Sequence, residues 1–81
     1  MKKIKYFTAK WCGPCKRFKP VMEEISRDGY DVEFIDVDEN TLESSKYGIT
    51  SVPAVMIFEN DKPKTLFFGY QEKNKIIEKL Q

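Results

Sequence analysis

Lys10-Trp11-Cys12-Gly13-Pro14-Cys15-Lys16 is the stretch on which the reading of this chain turns. It separates two segments of different periodicity. Upstream, residues 3–8 mix polar and apolar side chains of aromatic and β-branched type, the composition of a strand. Downstream, Phe18, Val21, Met22 and Ile25 fall at i, i+3, i+4 and i+7. That spacing makes one apolar helix face, and Lys16, Arg17, Lys19, Glu23, Glu24 and Arg27 cover the rest. The stretch itself is a loop broken by Gly13-Pro14. A helix is predicted over 14–28: Pro14 suits its first turn, where a missing N–H costs nothing, and Gly29 suits its left-handed terminus. Pro20 lies inside it and is expected to kink it.

Further along, residues 32–37 are rich in β-formers and predict a second strand. Asp38-Glu39-Asn40 offers caps for a short helix over 41–47, closed by Gly48. Ala54-Val55-Met56-Ile57-Phe58 is a continuous apolar run, as in a strand buried on both faces. Asn60-Asp61-Lys62-Pro63 reads as a turn and Lys64 to Phe68 as the returning strand of a hairpin. Gly69 breaks the pattern, and Ile76, Ile77 and Leu80 mark a last helix over 72–80. The order is β-α-β-α-β-β-α. A right-handed crossover makes the first two strands parallel, and the hairpin adds antiparallel ones. The expected fold is an α/β domain over residues 1–81, a four-stranded mixed sheet flanked by helices. In such sheets sites gather at the carboxyl edge of the strands, where Cys12 begins the helix.

The chain has two cysteines, three positions apart. Roughly 2% of random placements over this length would give that spacing. A disulfide across two intervening residues closes almost no loop, so it adds little entropic stabilisation; its use is to form and break. The positive end of a helix and its unpaired N–H groups favour thiolate over thiol. Cys12, at the loop edge, is therefore expected to be the reachable thiol of lowered pKa and the nucleophile, with Lys10, Lys16 and Arg17 adding positive charge. Cys15 is the expected resolving thiol. Cys12 would attack a substrate disulfide, and Cys15 would then attack the Cys12 sulfur and release the reduced substrate. Trp11 would form an apolar wall beside the site. Two inert buried cysteines are the plain alternative, but a Gly-Pro loop is a poor place for core packing. Structural zinc wants four ligands, and two cysteines with no histidine cannot supply them within one chain.

Composition removes other classes. The chain has 81 residues, 41% of them hydrophobic, and a net charge of +1. That suits one domain with a modest core, and it gives no argument for nucleic acid or a membrane surface. The apolar residues after Met1-Lys2-Lys3 are too few for a signal peptide, and no stretch approaches the ~18–20 apolar residues of a membrane span. The expected location is the cytoplasm, and the expected state a monomer.

Trp11-Cys12-Gly13-Pro14-Cys15-Lys16 resembles the active-site sequence of the thioredoxin family. Pro20 matches the proline of that family's active-site helix, and Lys46-Tyr47-Gly48-Ile49 with Val52-Pro53 matches the approach to its cis-proline. Gly69 matches the glycine after its last strand. The resemblance implies a thioredoxin-like fold and reduction of protein disulfides, with no cofactor beyond a redox-active Cys12–Cys15 disulfide. It implies that Pro53 is cis and faces Cys12, although only about 5–6% of X–Pro bonds are cis in general. It also implies that Trp11, Gly13, Pro14, Val52 and Pro53 form the substrate surface, with the Val52 backbone pairing to the substrate. The implied electron donor is a flavoprotein thioredoxin reductase.

Three departures stand out. The chain begins at what resembles the family's second strand, which makes it glutaredoxin-sized. Tyr6 stands where the family buries an acid, six residues before the first cysteine, and Phe34 replaces that acid's lysine partner. A larger apolar core under the site is expected from the pair. Asp36, on the same strand face as Phe34, is a candidate to handle the proton of the resolving thiol. The competing readings are a glutaredoxin-like protein recharged by glutathione and a non-catalytic binding module. Gly69-Tyr70-Gln71-Glu72 lacks the Gly-Gly pair of a glutathione site, and Gly13-Pro14 differs from the usual glutaredoxin Pro-Tyr. A disulfide-forming oxidase would belong in an oxidising compartment.

Overall fold

The computed structural model describes residues 1–81. Seven elements follow one another: β1 (Lys2–Thr8), α1 (Gly13–Arg27), β2 (Asp31–Asp36), α2 (Thr41–Lys46), β3 (Ala54–Glu59), β4 (Lys62–Phe68) and α3 (Lys73–Leu80). They form the expected order around one four-stranded sheet, arranged β2-β1-β3-β4. β1 and β2 run parallel; β1 with β3, and β3 with β4, run antiparallel.

The period-2 alternation of β1 divides the core. Ile4 and Tyr6 face one side of the sheet and pack with Phe18, Met22 and Ile25 of α1 and with Ile76 and Leu80 of α3. Phe7 faces the other side, with Ile35, Met56 and Phe58, where Tyr47 and Ile49 at the end of α2 close over them. β3 supplies both faces, which explains its unbroken apolar run. Each fully buried Phe, Ile or Met stabilises the fold by about 1.5–3 kcal/mol relative to exposure.

The helix ends are set by hydrogen bonds. The Gly29 N–H donates to the Ser26 carbonyl (3.1 Å) and the Tyr30 N–H to the Ile25 carbonyl (3.4 Å). This is a Schellman termination, and it needs the left-handed φ of +103° that Gly29 adopts. Tyr30 packs against the cluster that contains Ile25, the apolar contact that accompanies the motif. Gly48 ends α2 by the same pattern, with the Ile49 N–H on the Ser44 carbonyl at 2.9 Å.

Two expectations need correction. The hairpin turn is not Asn60–Pro63 but the pair Asn60-Asp61 alone, at φ 53° and 69°. Those dihedrals make a two-residue turn whose twist matches the strands, so Lys62 and Pro63 already pair with Glu59 and Phe58. Pro63 is tolerated because β4 lies at the sheet margin and leaves its missing N–H unneeded. Phe34, expected to enlarge the core, is 41% exposed. Its ring meets Tyr6 edge-on at 5.7 Å, but nothing covers its other side. The smaller boundary shifts, such as β2 starting at Asp31, leave the topology unchanged.

Candidate active site

Cys12 is the residue before the first turn of α1, with extended dihedrals (φ −84°, ψ 113°), and its sulfur accepts the backbone N–H of Cys15 at 3.2 Å. A sulfur thus takes the place of the oxygen that usually satisfies a free N–H at a helix start. No acidic residue sits in the first turn. Nothing there offsets the positive end of the helix, which favours negative charge on the Cys12 sulfur once it is reduced. Cys12 and Cys15 form a disulfide with their Cα atoms 5.3 Å apart.

The surroundings of the sulfurs differ from the expectation in two respects. Cys12 is not openly reachable: it is 4% exposed and Cys15 3%. The apolar wall is not Trp11 either. Ala9, Val37 and Val52 pack around the pair, while Trp11 is 69% exposed. The indole N–H donates to the Asp38 carboxylate at 2.8 Å, which holds the ring at the rim. Gly13 and Pro14 are exposed beside it. These four flank the buried sulfurs with a surface that another protein can touch.

The Val52–Pro53 peptide bond is cis. Pro53 is buried, and its carbonyl accepts the Gly69 N–H at 2.8 Å, tying the segment to the end of β4. Val52 packs against the cysteine pair, and neither its N–H nor its carbonyl has a backbone partner within the chain. An extended peptide laid beside Val52 would find both groups free.

Below Cys15 lies Tyr6, fully buried, whose hydroxyl donates to the Cys15 carbonyl at 3.3 Å. Burial pushes the phenol pKa up, against a smaller opposing effect of a hydrogen bond with Thr8. The open side of Phe34 forms a wall of a cleft of about 600 Å³ that also touches Tyr6, Cys15 and Asp36. The Asp36 carboxylate is fixed at one oxygen, Oδ1, which accepts the N–H groups of Asp38 (2.8 Å) and Glu39 (3.3 Å). No group of three or more His, Cys, Asp and Glu side chains is arranged to hold a metal ion. No helix is long and apolar enough to cross a membrane.

Every site residue named from the sequence lies at this carboxyl edge of the sheet. Asp38, Ala9 and Val37 were missed. Asp38 reads in sequence as a helix-cap candidate, and only the parallel pairing of β1 with β2 brings it beside Trp11.

Comparison with known proteins agrees with this geometry. A family model described as Thioredoxin matches residues 2–81. The thioredoxin of Rickettsia prowazekii is 41% identical over 75 residues, covering 89% of this chain and 71% of that protein. The Staphylococcus aureus thioredoxin is 39% identical over 77 residues, covering 91% of this chain and 74% of its own length. Among solved structures, Fasciola hepatica thioredoxin superposes with a TM-score of 0.90 at 27% identity, covering 98% of this chain and 77% of that one. A mutant thioredoxin from Halobacterium salinarum gives the same TM-score at 32% identity, covering 95% and 69%.

Proposed function

This chain belongs to the thioredoxin family and is a thiol–disulfide oxidoreductase that reduces protein disulfides, and on that premise we propose how its own residues divide the work. Cys12 is the attacking sulfur and Cys15 the resolving one. The observation that carries this order is the hydrogen bond from the Cys15 N–H to the Cys12 sulfur at the start of α1. It favours the thiolate at Cys12, where the helix N-terminus also acts. The thiolate attacks one sulfur of a substrate disulfide and forms a mixed disulfide. Cys15 then attacks the Cys12 sulfur, the Cys12–substrate bond breaks, and the substrate leaves as a thiol. Two electrons pass from the cysteine pair to the substrate, and the Cys12–Cys15 disulfide remains.

Trp11, Gly13 and Pro14 form one side of the docking surface, and Val52 and Pro53 the other. The free backbone groups of Val52 support an extended substrate segment pairing there. The protein acts as a monomeric single domain without a bound cofactor, in the cytoplasm, where reducing conditions keep regenerating the dithiol. Its electrons come from a flavoprotein thioredoxin reductase.

The test is reduction of insulin disulfides by the oxidised protein, driven either by NADPH with thioredoxin reductase or by NADPH with glutathione and glutathione reductase. Turnover with the first system is expected. Turnover with the second alone overturns the assigned donor. Cys12→Ser is expected to abolish turnover without trapping substrate, while Cys15→Ser should stall as a mixed disulfide on Cys12; substrate trapped on Cys15 in Cys12→Ser and none trapped in Cys15→Ser overturns the order.

A further inference from the structure

In the resolving step Cys15 must lose a proton, because a thiolate and not a thiol attacks sulfur. Cys15 is buried, its N–H is taken by the Cys12 sulfur, and no carboxylate is hydrogen-bonded to it. The cleft under Phe34 reaches it, and three carboxylates line that cleft: Glu23, Asp36 and Glu39. They are not equivalent. Glu23 lies eight residues beyond Cys15 on α1, roughly 12 Å along the axis at about 1.5 Å per residue. Glu39 is exposed and paired with Lys10 at 3.5 Å. Asp36 closes β2 level with Thr8, and the next residue, Val37, packs against the cysteine pair. Its Oδ1 is held by two backbone N–H groups, which orients the carboxylate, and its Oδ2 has no donor within the protein.

The other titratable groups facing the cleft do not compete. The Tyr6 hydroxyl donates a hydrogen bond to the Cys15 carbonyl, and its phenol stays protonated near neutral pH. Lys16 and Lys19 line the cleft on α1 with no carboxylate within 4 Å.

We infer that Asp36, through water in the cleft, accepts the proton that Cys15 gives up when it attacks the mixed disulfide. The inference rests on the order of the two sulfurs proposed above. In the step, the Cys15 S–H bond breaks and its proton passes through water to Oδ2. The Cys15–Cys12 bond forms, the Cys12–substrate bond breaks, and the leaving thiolate takes up a proton from solvent.

The experiment is a stopped-flow reaction of the reduced protein with dithiobis-nitrobenzoate, which releases one coloured thiol on attack and a second on resolution. It is run from about pH 5 to 9. Asp36→Asn keeps the Oδ1 acceptor, so the turn after β2 is retained. The expected result is an unchanged first phase and a second phase slowed on the order of 100-fold. Added formate should partly restore the rate in the variant alone. Glu23→Gln should leave both phases as they are. A second phase equal to that of the unsubstituted protein across the pH range overturns the inference. So does a slow phase that formate leaves untouched, since that marks a structural effect. If the first phase itself is absent from the unsubstituted protein, or survives in Cys12→Ser, the proposed order of the sulfurs fails instead.

Discussion

The indole of Trp11 and the carboxylate of Asp38 come from segments 27 positions apart and meet at the rim of the site. Both are exposed, so the bond adds under about 1 kcal/mol to stability; its effect is on where the ring stands. Asp38→Ala should therefore leave the urea midpoint nearly unchanged. It should raise the KM for a protein disulfide several-fold with kcat almost constant, and shift Trp11 emission. A fall in kcat at constant KM would contradict the docking role. The Cys-Gly-Pro-Cys pair and its attachment to a helix start were legible in the sequence, because spacing and period are local. The burial of Cys12 was not. Its cover comes from Ala9, Val37 and Val52, three separate segments whose meeting depends on the assembled sheet. The exposure of Phe34 is illegible for a related reason: hydrophobicity predicts that a ring avoids water, but not whether a neighbour is present to cover it.

At the scale of elements, α1 holds the site through its packing and through its two ends. Phe18 is fully buried and meets Tyr6 at 5.4 Å, edge to face. Phe18→Ala should cost about 3–5 kcal/mol of unfolding free energy, read from urea denaturation. Gly29→Ala tests the other end. A Cβ at Gly29 would meet no atom within 4 Å, so only the left-handed backbone opposes it. The expected loss is about 1–2 kcal/mol; a larger one would mean that the termination also carries tertiary contacts. Both helix ends could be placed from sequence because Gly-Pro at one end and Gly at the other act within a few residues. The hairpin turn is two residues narrower than the sequence suggests, because Pro63 pairs with Phe58 instead of turning the chain. A proline on an outer strand need not give up pairing, and that is decided by the strand's position in the sheet rather than by its residues.

For the whole molecule, alkaline pH weakens the fold through two groups. Burial pushes Tyr6 up from 10.0, so above about pH 10 the unfolded chain ionises this group and the folded one resists. Stability falls with pH in that window. Lys5 acts in the same direction. Burial lowers its pKa, but the hydrogen bond to Glu43 and the charges of Glu33 and Glu43 outweigh it and leave the group above 10.5. Its contribution is complete below about 10.5 and fades as the pH rises through the folded value. Tyr6→Phe should therefore flatten the decline of the urea midpoint between about pH 10 and 11, and an unchanged slope would assign the decline to other groups. The architecture was legible as a whole because its element order admits few topologies. That the cleft beside Cys15 stays open was not, since it depends on no other segment covering Phe34.

The outer strands carry one more consequence. β2 and β4 have no neighbour on their outer sides. β2 bears Asp31 and Glu33; β4 bears Lys62 and Lys64 around Pro63. At a net charge of +1 two copies scarcely repel at a distance, so solubility depends on what happens when they touch. Like strands then meet with like charges. An acidic strand meeting a basic one is attracted but finds Pro63, which has no N–H to offer. Concentrated salt would screen the repulsion between like strands and leave the proline's interruption untouched, so crowding should be tolerated best where ionic strength is low.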